Sequence, residues 1–503
     1  MKPLIASRKY DTLIKECEDG LRAGRGQLLR TRLASVNSSR IPRQYRKPIA
    51  SLCRRAGLNQ TGLRILSPIV HPLRKLATAP ADSSELAEYA ILLSRIGLVQ
   101  EAFWTIDKVN PIEAPEADLF RSHFYFSRWD YSKALPHLKK YLSGDLAPYA
   151  KLVGNVNLSA ALVQAGDKKE ALEQIEQNIE HAKRDQHRRL WLNSLELKAE
   201  LHIKNEAIGE AQLALKEAVD LIDENQVDVD SFYVSIWQAV LTGLQTGQLE
   251  PMLKVRGEAI QRGLWERVRE IDLYLCKIEV RNNLPNVDRI EHLIFGTPYP
   301  AFREKVFKET GCWPQSNYYI LGNRDAPCVD ITAGNLVGLK PGKKVHQVLD
   351  IILRDFYRPA SVGALFSELY PTERFNVRTS PSRVHQVLCR TRAWLKAQRI
   401  PVNLKSENHG VQLQLLPKKS SSALSSGQFS FCVPLDREAL SPFRSHWARL
   451  QKTFTTEIEF LAIEARQALG MKPSTFKSMM QWALQNDLVV RNGLSVSTKY
   501  RLK

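Results

Sequence analysis

The chain has 503 residues, of which 44% are hydrophobic and 25% charged, the composition of a soluble globular protein too long for one ordinary core. It contains no run of about 18 apolar residues, and only a short apolar stretch follows the basic start Met1-Lys2-Pro3-Leu4-Ile5-Ala6-Ser7-Arg8-Lys9, so neither a membrane span nor a secretory signal is expected and the expected location is the cytoplasm. The net charge of +19 is unevenly placed: +13 over residues 1–80, −9 over 81–333 and +15 over 334–503, which points to basic ends that meet a polyanion and a centre with another task.

Residues 1–42 form a basic segment with helical patterning, carrying Arg22, Arg25, Arg30, Arg32 and Arg40. A charge run of this kind reads as a solvated helix face, with contact to nucleic acid or an acidic partner as the other reading. The seven cysteines are Cys17, Cys53, Cys276, Cys312, Cys328, Cys389 and Cys432. They are odd in number and never in CxxC spacing, which argues for free thiols rather than a disulfide framework or a structural zinc site.

An internal repeat occupies the acidic centre. Small residues recur at Gly62, Ala102, Ala134, Ala171, Ala211 and Pro251. Twelve positions earlier stand Ala50, Ala90, Ser122, Ser159, Ala199 and Ala239, and four positions later Leu66, Ile106, Leu138, Ile175, Leu215 and Val255. Paired helices approach closely only where small side chains face each other, and an aliphatic residue one turn on fills the groove. Gly57, Gly97 and Gly166, five positions before their anchors, mark the turn inside a pair. The segments Leu92–Ala102 and Leu162–Leu172 resemble tetratricopeptide repeats, a likeness that covers roughly residues 43–280 of a helical domain expected over 43–312, with five or six copies. The chain departs from that pattern in its 40-residue spacings, in Pro251, and in Asp130 or Glu206 where glycine is usual. The resemblance implies a solenoid whose concave face takes a protein or peptide, or a regulatory ligand, and which is long enough for self-association. Tyr125, Trp191, Tyr233 and Trp237 are candidates to line that face, or else they fill the core between helices.

From residue 313 the texture changes. Alternating segments at Tyr318–Leu321 and Cys328–Ile331 predict strands. A helix after Pro341-Gly342 is expected to turn Val345, Val348, Leu349, Ile352 and Leu353 inward, and a second starts at the N-cap Ser361 with Val362, Leu365, Phe366 and Leu369 inward. A third runs from Ser382 to Lys396, and a hairpin of Val402/Leu404 and Val411/Leu413/Leu415 turns at Asn408-His409-Gly410. This order, over 313–416, resembles the DNA-binding domain of OmpR/PhoB-type response regulators, most tellingly in Ser382–Leu395 followed by a hairpin. The resemblance implies a winged helix whose third helix enters the major groove of double-stranded DNA, whose hairpin reaches the minor groove, and whose loop 371–380 meets RNA polymerase in some members. On the helix itself, Val384, Val387, Leu388, Thr391 and Leu395 share the core face, while Gln386, Cys389, Arg390 and Ala393 point away. Arg can read guanine and Gln adenine, and flanking cations suit phosphates. The candidate DNA-binding residues are therefore Arg378, Arg383, His385, Gln386, Arg390, Arg392, Lys396 and His409. Arg392 lies near the core edge, where it is expected to hold a phosphate or an internal carboxylate.

A Ser-rich flexible linker is expected over 417–442. Residues 443–503 repeat the logic in short form: a helix ending at Leu469-Gly470, another opened by Pro473 with Phe476, Met479, Met480 and Ala483 inward, and a hairpin turning at Asn492-Gly493. They resemble small winged helices of MarR-like regulators, which puts Lys472, Ser474, Thr475, Lys477, Ser478 and Gln481 forward as further DNA contacts. The fold expected for the whole chain is thus mainly α: a tetratricopeptide-like α-solenoid followed by two small α+β winged-helix domains.

No Walker A loop, GxGxxG, GxSxG or HExxH string occurs, and the eleven histidines are dispersed, so no enzyme, cofactor or metal is expected. The expectation for function is a bacterial-type transcription regulator; the competing readings are a scaffold whose winged helices bind proteins, and an RNA-binding protein.

Overall fold

The computed structural model describes residues 2–22, 26–72, 79–222, 229–314, 318–321, 328–330, 343–398, 402–407, 410–415, 430–434, 450, 453–454, 458–485, 488–493 and 498–502. Its helices, in chain order, begin with α1 Lys2–Arg22, α2 Gly26–Ala34, α3 Arg43–Arg55, α4 Asn59–Val70, α5 Ser83–Arg95, α6 Val99–Ile106, α7 Glu116–Phe126 and α8 Tyr131–Leu142. They continue as α9 Pro148–Ala165, α10 Lys168–Arg184, α11 Arg188–Lys204, α12 Ile208–Asp220, α13 Val229–Thr246, α14 Glu250–Gln261, α15 Trp265–Arg281, α16 Val287–Phe295 and α17 Pro300–Thr310. The remaining ones are α18 Lys344–Leu353, α19 Val362–Leu369, α20 Ser380–Ala397, α21 Ala462–Leu469 and α22 Pro473–Gln485. Among the described residues the strands are β1 Tyr318–Leu321, β2 Cys328–Asp330, β3 Ala360–Ser361, β4 Val402–Glu407, β5 Gly410–Leu415, β6 Ser430–Pro434, β7 Glu459–Leu461, β8 Val489–Asn492 and β9 Lys499–Leu502. The protein is mainly helical, as its composition and periodicity predict.

Two compact units emerge: residues 1–313 with 357–384 and 406–411, and residues 314–356 with 385–405 and 412–503. Residues 357–384 and 406–411, which lie within the second expected domain, pack with the helices of the first unit.

In that unit each helix from α3 to α17 packs on the next; α3 also packs on α5 and α5 on α7, and, in a second run, α9 packs on α11, α11 on α13, α13 on α15 and α15 on α17. Every repeat anchor lies in an even-numbered helix, and its small partner twelve positions earlier lies in the preceding odd one. Gly62 shows why: a Cβ there would stand 2.9 Å from Leu92 Cδ2 and 3.2 Å from the Ala50 carbonyl oxygen. The aliphatic positions four residues on, Leu66 to Val255, are all buried. Gly57, Gly97 and Gly166 have φ of +76°, +92° and +90°, the left-handed turn that glycine adopts without steric cost. In two other copies that turn is made by Trp129 (φ +59°) and Glu206 (φ +58°), and before Pro251 a glycine, Gly247, has φ of +73°. Trp129, not its neighbour Asp130, therefore replaces the glycine. Its strain, about 1 kcal/mol or more, is offset by burial, by a 2.7 Å hydrogen bond from its Nε1 to Glu266 Oε2, and by edge packing on Phe302. A further pair, α15 and α16, extends the array past the five or six copies expected.

His123 on α7 shares a hydrogen bond with Asn157 Oδ1 at 3.2 Å. Burial, with Arg95 and Arg54 nearby, pushes its pKa down to about 4. A histidine whose folded pKa is depressed gives stability that is present above its unfolded pKa and lost as the pH falls toward the folded one. Between pH 7 and 5 the wild-type chain should lose about 1–2 kcal/mol more than His123→Gln does, read by urea unfolding at the two pH values. Equal losses in both proteins would contradict a neutral His123.

In the second unit β6 lies at the centre of a three-stranded sheet, antiparallel to β1 (Tyr319 opposite Val433) and parallel to β2 (Val329 opposite Phe431). Residues 430–434 fall inside the expected linker, so that part of the linker is a strand. Its alternation of Ser430, Phe431, Cys432 and Val433 was masked by the Ser-rich run before it. β4 and β5 are neighbouring strands, as the expected first hairpin requires, and β7-β9-β8 contains the second, with Val489 opposite Leu502 and Asn492 opposite Lys499. Around the latter sheet, Phe460, Leu469, Phe476, Met479, Met480, Ala483, Val489 and Leu502 form one core, which contains the four inward residues expected on α22.

Candidate nucleic-acid interface

Helix α20 has no acidic residue along its 18 positions. Val384, Val387, Leu388, Thr391 and Leu395 are buried, as the wheel predicts, and the Thr391 hydroxyl donates back to the Val387 carbonyl at 2.9 Å. His385, Gln386, Cys389, Arg390, Ala393 and Lys396 are exposed. One face thus anchors the helix, while the other offers two full cations, a histidine and an amide with small residues between them.

The start of the helix is organised by the loop before it. Asn376 Oδ1 accepts from the N–H groups of Arg378 (2.9 Å) and Thr379 (3.3 Å), and the Asn376 N–H donates to Ser380 Oγ at 2.8 Å. This turn satisfies backbone donors at the entrance to α20 and leaves the Arg378 side chain exposed. Phe375 is buried, its N–H donating to Glu101 Oε2 at 3.0 Å.

Two expected DNA contacts are engaged elsewhere. Arg383 makes a two-pronged pair with Glu373, with Nη2 donating to Oε1 at 2.9 Å, and its guanidinium sits 3.9 Å from the centroid of the Tyr370 ring. The bond to Glu373 raises the Arg383 pKa, so the group stays charged. Arg392 donates from Nε (3.1 Å) and Nη2 (2.9 Å) to the Leu404 carbonyl. These bonds fasten α20 to β4. Helical periodicity gives the direction of a side chain but not the acceptor that waits there. A signal for the Arg383 lock does exist in the sequence, since Glu373 is the only acidic residue between positions 369 and 406.

His409 lies outside the described residues. On α22, Lys472, Ser474, Thr475, Lys477 and Gln481 are exposed, whereas Ser478 is half-buried and its hydroxyl donates to the Ser474 carbonyl at 3.0 Å.

No protein-family model and no curated protein matches this chain.

The four aromatic candidates of the helical array have different settings. Tyr125 is half-buried and stacks on His137. Trp191 lies under Lys183 and Tyr233 under Arg267, with the cations 4.8 and 4.5 Å from the ring centroids. Trp237 is 1% exposed and donates to Glu196 Oε1 at 3.2 Å, so it fills the core and cannot line a binding face. Among the described residues there is no group of three or more His, Cys, Asp or Glu placed to hold a metal ion, and no helix long and apolar enough to cross a membrane.

Proposed function

We propose that this protein is a DNA-binding transcription regulator in which the exposed face of α20 enters the major groove. The observation that carries the reading is a helix whose buried face is Val384, Val387, Leu388, Thr391 and Leu395 and whose exposed face carries cations and no acidic residue, within a region of net charge +15. Arg390 and Gln386 are the base-reading candidates, with His385, Lys396 and Arg378 toward phosphates. In this reading residues 313–416 form an OmpR/PhoB-like winged helix and residues 443–503 a second, MarR-like one, whose exposed Lys472, Ser474, Thr475, Lys477 and Gln481 add contacts. The helix pairs of the first unit act as a tetratricopeptide-like array that receives a protein or ligand signal. The protein works in the cytoplasm without a cofactor and without catalysis.

Arg390→Ala should weaken binding of the full chain to its preferred duplex by about 1–3 kcal/mol and relax preference at one base pair, if the guanidinium reads a base. Fluorescence anisotropy against a set of single-base variants checks both effects. Unchanged affinity in the double variant Arg390→Ala/Gln386→Ala would remove α20 from the interface.

A further inference from the structure

The loop that carries Glu373 is held by the helical array, and every residue of the connection belongs to the first compact unit. Ser361 Oγ donates to the Ile96 carbonyl at 2.7 Å and accepts from the Ala364 N–H at 3.1 Å. The approach is backbone-close: a Cβ on Gly363 would stand 2.3 Å from the Ile96 oxygen, and one on Gly97 2.3 Å from Ser361 Oγ. Fourteen residues beyond Ser361 the chain is pinned again, where Glu101 Oε2 on α6 accepts the Phe375 N–H. Glu101 is 7% exposed and its other oxygen, Oε1, has no hydrogen-bond partner among the described residues. A carboxylate kept in such a place costs stability and is not explained by packing. From Phe375 the contacts run on without a gap. Its ring meets Phe366 edge-on at 5.3 Å, Phe366 meets Tyr370 at 5.1 Å, and the Arg383 guanidinium rests over Tyr370 while paired with Glu373.

We propose that the helical array, through Glu101, holds Glu373 against Arg383 and so withholds that arginine from DNA. The inference rests on the DNA-binding reading of α20. In the held state Arg383 is neutralised by a carboxylate that would itself repel a phosphate backbone. Releasing Phe375 from Glu101 frees the loop, separates the pair and adds one cation to the interface. Glu101 and Glu373 are then positioning residues, and a signal received near the α5–α6 turn has a physical route to the DNA surface.

The test uses the full chain. Glu101→Leu removes the acceptor at similar volume, Glu101→Gln keeps an acceptor oxygen, and Glu373→Gln weakens the exposed pair without touching the core. Glu101→Leu should raise amide hydrogen exchange across residues 371–384, and Glu101→Gln should not. Glu101→Leu and Glu373→Gln should each tighten duplex binding about three- to tenfold and steepen the slope of log affinity against log salt by about 1, the mark of one added phosphate contact. Both gains should vanish when Arg383→Ala is present. Unchanged exchange in Glu101→Leu, weaker binding in Glu373→Gln, or the same gains in the Arg383→Ala background would overturn the proposal. A wild-type chain that binds no DNA while Glu101→Leu still exchanges faster would overturn the DNA reading and support the Glu101 anchor.

Discussion

Replacing Asp272 by alanine lowers the stability of the protein by about 3–5 kcal/mol, the usual cost of removing one member of a buried ion pair. Asp272 on α15 is 1% exposed. One oxygen accepts from Arg256 Nε at 2.6 Å, and the other from Arg256 Nη2 at 2.9 Å and from the Tyr357 hydroxyl at 2.8 Å. Without the carboxylate, a half-buried guanidinium and a buried phenol lose their acceptor together, and Arg289, 3.7 Å away, loses a counter-charge. Tyr357 opens the segment 357–384, so the loss also loosens the attachment that carries α19. Asp272→Asn keeps one acceptor oxygen and should cost about 1–2 kcal/mol. Urea unfolding followed by circular dichroism measures both; a loss below about 1 kcal/mol in the alanine variant would mean that the three partners rearrange freely.

Trp237→Ala should cost a similar amount, about 3–5 kcal/mol, for a different reason. The indole is among the largest fully buried side chains, packs edge-on against Tyr274 at 5.5 Å, and supplies the hydrogen bond to Glu196. Its removal leaves a cavity and a buried carboxylate short of one donor, although Arg267 Nη2 at 2.9 Å remains. Trp237→Phe retains most of the volume and should lose less than half as much. A stable Trp237→Ala that fails only in partner capture would return this residue to a binding face and contradict its place in the core.

These two sites also show what could and could not be read from the chain. The helical array was legible because its signal is local: Ala90 and Ala102, or Ser159 and Ala171, sit in neighbouring helices, and their spacing is fixed by helix length and turn. Trp237 lies in the same periodic pattern, yet its aromatic character suggested a surface as readily as a core, since burial depends on α11 and α15, which are far away in sequence. The outer face of α20 followed from 100° periodicity alone. The engagement of Arg383 and Arg392 did not, because Glu373 and the Leu404 carbonyl are brought in by a loop and a hairpin. Gly97 was legible as a turn, but its second use, admitting Ser361 Oγ where a Cβ would clash, joins positions 264 residues apart. The strand at 430–434 was hidden likewise: both its partners lie about a hundred residues earlier, and pairing of that kind leaves no short-range mark.

The most direct measurement of the central claim is equilibrium binding of the full chain to duplex DNA across a salt series. The intact chain is required, because residues 357–384 pack with the first compact unit and a fragment beginning near residue 314 would lack that support. If α20 and its neighbours meet the phosphate backbone with about four to six cations, log affinity falls linearly with log salt at a slope of about −4 to −5, and preference for one sequence persists as salt is raised. Binding that is absent at low salt, or flat across the series, would contradict it.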